Sequence, residues 1–340
     1  VDPGLAIDLE LVIRAQEVPE LFKGQIDKMG LEVTLYRSHV FWFAALMYFA
    51  AGVLLWLSDK DSRLRKYAQG ALIAALSLHI LGFAVRVYIT GFAPVTNMYG
   101  TMLWVSFGVA LFGALLFQMY QRAKMISLLY AGAGLVLILT EGFPLVLNPG
   151  LDPVVAVLRS NLWLTVHVLT ITISYAAFTI TMLLGNYAMV MNAFGKLKSE
   201  EIKDLSHHCY RMIQLGVFLL TVGIVLGGVW ADYSWGRFWG WDPKETWALI
   251  ADLGYLAILH ARITGWVSPL GILLASPVAY LLVIMAWYGV NFVLAAGLHS
   301  YGFSKGGATW VGIFVGLQII LAVASIAKWK LDEMKTAKNA

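Results

Sequence analysis

Nine apolar runs, each long enough to cross about 30 Å of hydrocarbon, recur along this chain and constrain its fold before any motif is read. They lie at roughly 38–57, 68–90, 100–120, 125–147, 162–191, 211–230, 243–263, 269–296 and 309–327. Backbone in lipid must satisfy its own hydrogen bonds, so such runs cross as helices. Only 13% of the 340 residues are charged, against about a quarter in a soluble domain. The expected fold class is all-α: a polytopic integral membrane helical bundle of about nine transmembrane helices.

The basic residues give an orientation. One set of connections holds fifteen Lys and Arg, from Lys60, Arg63 and Arg65 to Lys335 and Lys338. The other holds four: Arg159, Arg237, Lys244 and Lys305. The expectation is an N-terminus outside and a C-terminus in the cytoplasm. Residues 1–37 then form an extracytoplasmic arm or linker, 38–328 the bundle and 329–340 a cytoplasmic tail. The chain opens on Val1 and not on methionine, as expected of a processed chain or of the C-terminal part of a longer one. Cys209 is the single cysteine, so thiol chemistry needs a partner's sulfur. The net charge of +4 follows the membrane and gives no ground for a nucleic-acid partner.

Between the sixth and seventh runs stands WGRFWGWDPKETW, Trp235–Trp247, with four of the thirteen tryptophans. Gly236, Gly240 and Pro243 interrupt helix there. Asp242-Pro243-Lys244-Glu245 reads as a helix start: Asp at the N-cap, Pro first, Glu three after the cap. Trp235, Trp239 and Trp241 are therefore expected on the loop just before the seventh span. An interfacial aromatic belt accounts for one or two tryptophans at a span end. Four within 235–247, interleaved with glycine in an external loop set at 230–247, suit a platform for a large flat apolar ligand.

Two histidines share that face by parity: His167, just inside the outer end of the fifth span, and His299, after the eighth. Imidazole is a common axial ligand of haem iron. Each could also be a satisfied interfacial residue; together with the loop they point to ligation. His79, mid-way along the second span, and His260, toward the cytoplasmic end of the seventh, are ionisable groups at membrane depth and default to a functional hypothesis. Arg86 and Asp252 belong with them. His207 and His208 read as solvated, and His39 as interfacial.

The stretch Trp235–Trp247 resembles the tryptophan-rich WWD signature of haem-handling proteins of cytochrome c biogenesis. The whole chain resembles the CcsA (ResC) family of the System II cytochrome c synthase. The resemblance runs through RVYITGFAPVTNMYG (Arg86–Gly100), SNLWLTVHVLTITISYAAF (Ser160–Phe178), the tryptophan loop, LHARITGW (Leu259–Trp266) and GLHSYGF (Gly297–Phe303). One departure is Gly100, where the family usually carries Glu.

The resemblance implies transport of reduced haem b, as substrate, to the outer face of the membrane. There it is presented for thioether attachment to the CXXCH of apocytochrome c, a holocytochrome c synthase (haem lyase) activity. His167 and His299 match the external axial ligands. Trp235, Gly236, Trp239, Trp241, Asp242, Glu245 and Trp247 match the presenting loop. His260 matches an inner-site ligand whose counterpart is placed on a CcsB (ResB)-type membrane partner, separate or fused. His79 is carried as a further candidate contact. Thiol-reducing proteins of the same pathway complete the implied partners. No residue is assigned as an acid or base. The alternatives are a System I component of CcmC or CcmF type, a subunit holding b-type haem for electron transfer, and a haem exporter.

Overall fold

The computed structural model describes residues 23–58, 61–144, 146–151, 160–294 and 307–338. Among them the chain is helical, with no strand. The helices are α1 Lys23–Arg37, α2 Val40–Leu57, α3 Ser62–Thr90, α4 Met98–Tyr120 and α5 Ala123–Gly142. They continue as α6 Asn161–Ala193, α7 Ser199–Trp235, α8 Pro243–Ile263, α9 Pro269–Leu294 and α10 Ala308–Lys338.

Eight of the described helices are long and apolar enough to cross a membrane. The expected seventh span, 243–263, is present as α8, 21 residues long, or about 31 Å at 1.5 Å per residue. It falls short on composition and not on length: Lys244, Glu245, Asp252, His260 and Arg262 dilute its apolar content. The fourth run was read five residues too far, because α5 stops at Gly142. The sixth was read too short. Its helix begins at Ser199, with Glu200 and Glu201 favourably placed in the first turn. The expected arm contains α1, which meets α2 at His39, where the backbone turns left-handed with φ 47°. Lys28 ties α1 to the end of α3, donating to the Ile89 carbonyl at 3.2 Å.

Small residues set the closest helix contacts. α2 lies on α5 through Ala45, Gly52 and Gly134; a Cβ on Gly52 would sit 2.8 Å from the Ser127 carbonyl. Interhelical contact in lipid depends on such close approach, because burial against lipid gives little driving force. α4 and α5 carry the first helices onto α6, and α6 packs in turn on α7 and α9. Phe178 of α6 stacks on Tyr255 of α8 at 3.8 Å, nearly parallel. α10 docks mainly on α6 and α9, and most of its surface is exposed.

Candidate functional site

After its first three residues α6 makes a π-helical turn, Leu164–Val168. Such wide turns recur at functional sites, and this one carries His167. The imidazole lies against α7, where glycines make room: a Cβ on Gly227 would meet His167 Cε1 at 2.6 Å. His167 Nδ1 is 2.8 Å from the Gly223 carbonyl oxygen. A carbonyl can only accept, so Nδ1 carries a proton, and in the neutral ring the lone pair is on Nε2. Trp230 of α7 meets the same ring edge-on, with centroids 5.6 Å apart.

α7 ends at Trp235, because Gly236 adopts the left-handed conformation (φ 67°) that closes a helix. Residues 236–242 form the tryptophan loop, and Glu245 fastens it. Its Oε2 accepts from the amides of Gly240 at 2.9 Å and Asp242 at 3.1 Å. Its Oε1 accepts from Arg237 Nη1 at 3.0 Å. Asp242 Oδ1 accepts from the Lys244 amide at 2.9 Å, and the capping box is complete. The Arg237 side chain crosses directly over Gly240, where a Cβ would fall 1.9 Å from Nη1. The expected helix start at Asp242, Pro243 and Glu245 is thus present in the structure.

α6, α7, the loop, the start of α8 and the second half of α9 line a partly open cavity of about 170 Å³. His167, Trp230, Trp239, Lys244 and Glu245 line it, with Leu164, Ile171, Tyr175, Ile224, Gly227, Gly228, Trp287 and Asn291. Val95–Met98, before and into α4, closes another side. Asn97 holds that segment: its Oδ1 accepts from the Gly100 amide, and its Nδ2 donates to the carbonyls of Asn148 and Gly150. The wall is mostly apolar. A more apolar cavity of about 420 Å³ adjoins it, sharing Thr101, Tyr175 and Trp287.

The structure brings together some of the residues read from the sequence and separates others. His167, Trp239 and Glu245 line the cavity. Trp241 does not; it is 70% exposed and leans edge-on against Trp239 at 5.8 Å. Trp235 is the last residue of α7 and not a loop residue, since the turn begins only at Gly236; the Arg237 guanidinium sits over its ring at 5.7 Å. Asp242 and Gly236 shape the loop ends, and Trp247 lies half-buried inside α8. His260, near the other end of α8, is exposed, its Nδ1 donating to the Leu256 carbonyl at 2.8 Å. His79 is wholly buried outside the cavity, beside the Tyr48 hydroxyl and the rings of Phe41, Phe83 and Phe107. His299 lies outside the described residues.

One further reading needs correction. His208 is not solvated: it is buried against Tyr120, with Nδ1 on the Asp204 carbonyl at 2.7 Å, while His207 is exposed. Helical spacing turns adjacent residues about 100° apart, so neighbouring histidines need not share an environment. At Gly100 there is no room for a side chain, since a Cβ would lie 2.3 Å from the Pro94 carbonyl. The nearby carboxylate comes instead from Glu141 of α5, which accepts from the Tyr99 hydroxyl. The reading also passed over Trp230, Trp287, Asn291 and the glycine bed under His167. The Gly223-x-x-x-Gly227 spacing, a small-residue contact pattern, was the available signal for that bed.

The family model for the cytochrome C assembly protein matches residues 95–299. The chain belongs to the cytochrome c assembly protein family. CcsA of Prochlorococcus marinus (strain AS9601) is 36% identical over 250 residues, covering 64% of this chain and 79% of that protein. CcsA of Cyanophora paradoxa is 30% identical over 329 residues, 82% of this chain and 98% of its own length. The protein NrfI of Wolinella succinogenes is 39% identical over 234 residues; the match covers 66% of this chain but about a quarter (25%) of NrfI. The cytochrome c haem lyase CcmF shares the fold, with a TM-score of 0.54 at 14% identity, over 91% of this chain and 51% of that one. As a family member, this integral membrane protein functions in cytochrome c biogenesis.

Proposed function

We propose that this cytochrome c assembly protein receives reduced haem b as a substrate and presents it, on the outer face of the membrane, for thioether attachment to the CXXCH of apocytochrome c. The observation that carries the reading is the His167 cavity. His167 has its Nδ1–H held by a carbonyl, the arrangement that orients metal-ligating imidazoles. Trp230 and Trp239 line the space beside it, and the walls are mostly apolar, as suits a flat hydrophobic macrocycle. The chain's contribution is orientation: it holds one edge of the substrate and leaves the reacting edge to the incoming thiols.

The remaining assignments follow from this reading. His299 supplies the second axial ligand. Trp235, Gly236, Trp241, Asp242, Glu245 and Trp247 shape and extend the presenting loop. His260, exposed on α8, takes the substrate earlier, facing a CcsB (ResB)-type membrane partner. Thiol-reducing proteins keep the CXXCH cysteines competent, and the resulting activity is that of a holocytochrome c synthase.

The test is co-expression with a CXXCH reporter, with and without a CcsB-type partner, while following covalent haem on the reporter. Attachment should require the chain, the partner and His167. Full attachment by a His167→Ala variant, with a wild-type low-spin spectrum of the reduced protein, would remove the cavity from the reaction.

A further inference from the structure

Two buried polar atoms of this cavity's lining residues have no hydrogen-bond partner among the described residues: Trp287 Nε1 and Asn291 Oδ1. Both belong to the π-helix Met285–Leu294, the second such segment on the cavity. The Asn291 amide is oriented by its own contacts. Its Nδ2 donates to the Trp287 carbonyl at 2.9 Å and reaches Met98 Sδ at 3.9 Å. Oδ1 is therefore an acceptor, and an indole N–H is only a donor.

A buried donor and a buried acceptor left unmade each carry a desolvation cost. Here they stand four residues apart on one helix, in a mostly apolar wall whose charged members, Lys244 and Glu245, belong to α8. One small group satisfies both if it holds an accepting oxygen and an O–H. A carboxylic acid does so, and a low-dielectric wall favours its neutral form over the carboxylate. The polar groups on the rim of haem are its two propionates, and its vinyl groups lie on the opposite edge.

We propose that Trp287 and Asn291 bind one propionic acid side chain of the substrate and thereby fix the rotation of the macrocycle in the cavity. The inference rests on the reading that the His167 cavity receives haem. Trp287 Nε1–H donates to the carbonyl oxygen of the acid, and the acid O–H donates to Asn291 Oδ1. The vinyl edge is then directed away from the π-helix. The pair determines specificity, because a ring without the acid leaves both atoms unpaired.

The experiment uses the purified full chain in detergent, titrated with ferrous haem and with its dimethyl ester, which keeps the carbonyls but has no O–H. The wild type should bind haem roughly tenfold more tightly than the ester, the size of effect expected for leaving a buried polar group unpaired. Asn291→Leu should bring the two affinities close together, whereas Trp287→Phe should weaken both ligands about equally, because the carbonyl it donates to is present in acid and ester alike. Because the readout is a ratio, a general loss of folded protein does not imitate it. Equal binding of both ligands by the wild type would overturn the proposal. So would unchanged affinities in Trp287→Phe, or a preference kept in Asn291→Leu but lost in Lys244→Met, which would assign the acid edge to Lys244. His167→Ala should weaken both ligands and keep their ratio. If His167→Ala changes neither affinity, the cavity reading itself fails.

Discussion

His167 Nδ1 and the Gly223 carbonyl oxygen, 2.8 Å apart, join α6 to α7. The contact requires the helices to be almost touching. Gly223 and Gly227, one turn apart, supply that proximity, for a Cβ on Gly223 would lie 2.4 Å from Ile171 Cγ1. The tautomer of the imidazole therefore depends on the absence of side chains on the neighbouring helix.

Gly227→Ala places a methyl 2.6 Å from His167 Cε1, so the ring must shift and lose its bond to Gly223. Overpacking of this kind costs about 1–3 kcal/mol, which a bundle of this size should survive. We expect normal levels of membrane-inserted protein with haem retention reduced as in His167→Ala. Visible spectra of the purified reduced protein decide it. A wild-type spectrum in Gly227→Ala would mean that the position of this imidazole does not matter.

Trp239 and Trp241 should behave unequally. Trp239 lines the cavity, whereas Trp241 is 70% exposed and only braces Trp239. Trp239→Ala should lower haem content sharply and Trp241→Ala less. The double variant should resemble Trp239→Ala, because residues in contact are not additive. Haem-to-protein ratios at matched expression measure this, and equal losses would contradict the arrangement.

Glu245→Ala removes the acceptor for Arg237 and for two loop amides. Losing one half of a capping box costs about 1 kcal/mol locally. The amides of Gly240 and Asp242 should then exchange with deuterium much faster while the helices stay protected. Glu245→Gln keeps one accepting oxygen and should lie between. Unchanged exchange in Glu245→Ala would show that the loop holds its shape by other means.

His260 is exposed on α8, whereas the cavity starts at the opposite end of that helix. His260→Ala should leave thermal stability and the reduced spectrum of haem added from outside unchanged. Haem loading in cells with a CcsB-type partner should fall. Normal loading in the variant would detach His260 from the route.

The helical bundle and the position of the loop were legible because lipid forces apolar runs into helices and capping chemistry is local. Asp242, Pro243 and Glu245 announced the start of α8 within four residues. Trp235 was misplaced because the helix stop rests on one torsion, that of Gly236, which composition alone does not reveal. His208 was misread because burial depends on which way α7 turns it, toward Tyr120. Trp287 and Asn291 were invisible: they look like ordinary residues of an apolar span, and only a π-helical backbone and a cavity distinguish them. That Nε1 and Oδ1 have no partner among the described residues is a property of tertiary structure.

The bonds that hold the tryptophan loop have another consequence. Arg237, Gly240, Asp242 and Glu245 fall within nine consecutive positions and bond to one another. These bonds are thus all made within one short segment. It is portable: Trp235–Trp247, grafted between two unrelated antiparallel helices, should fold to the same hairpin and carry its tryptophans with it, making this part of the molecule separable from the bundle it serves.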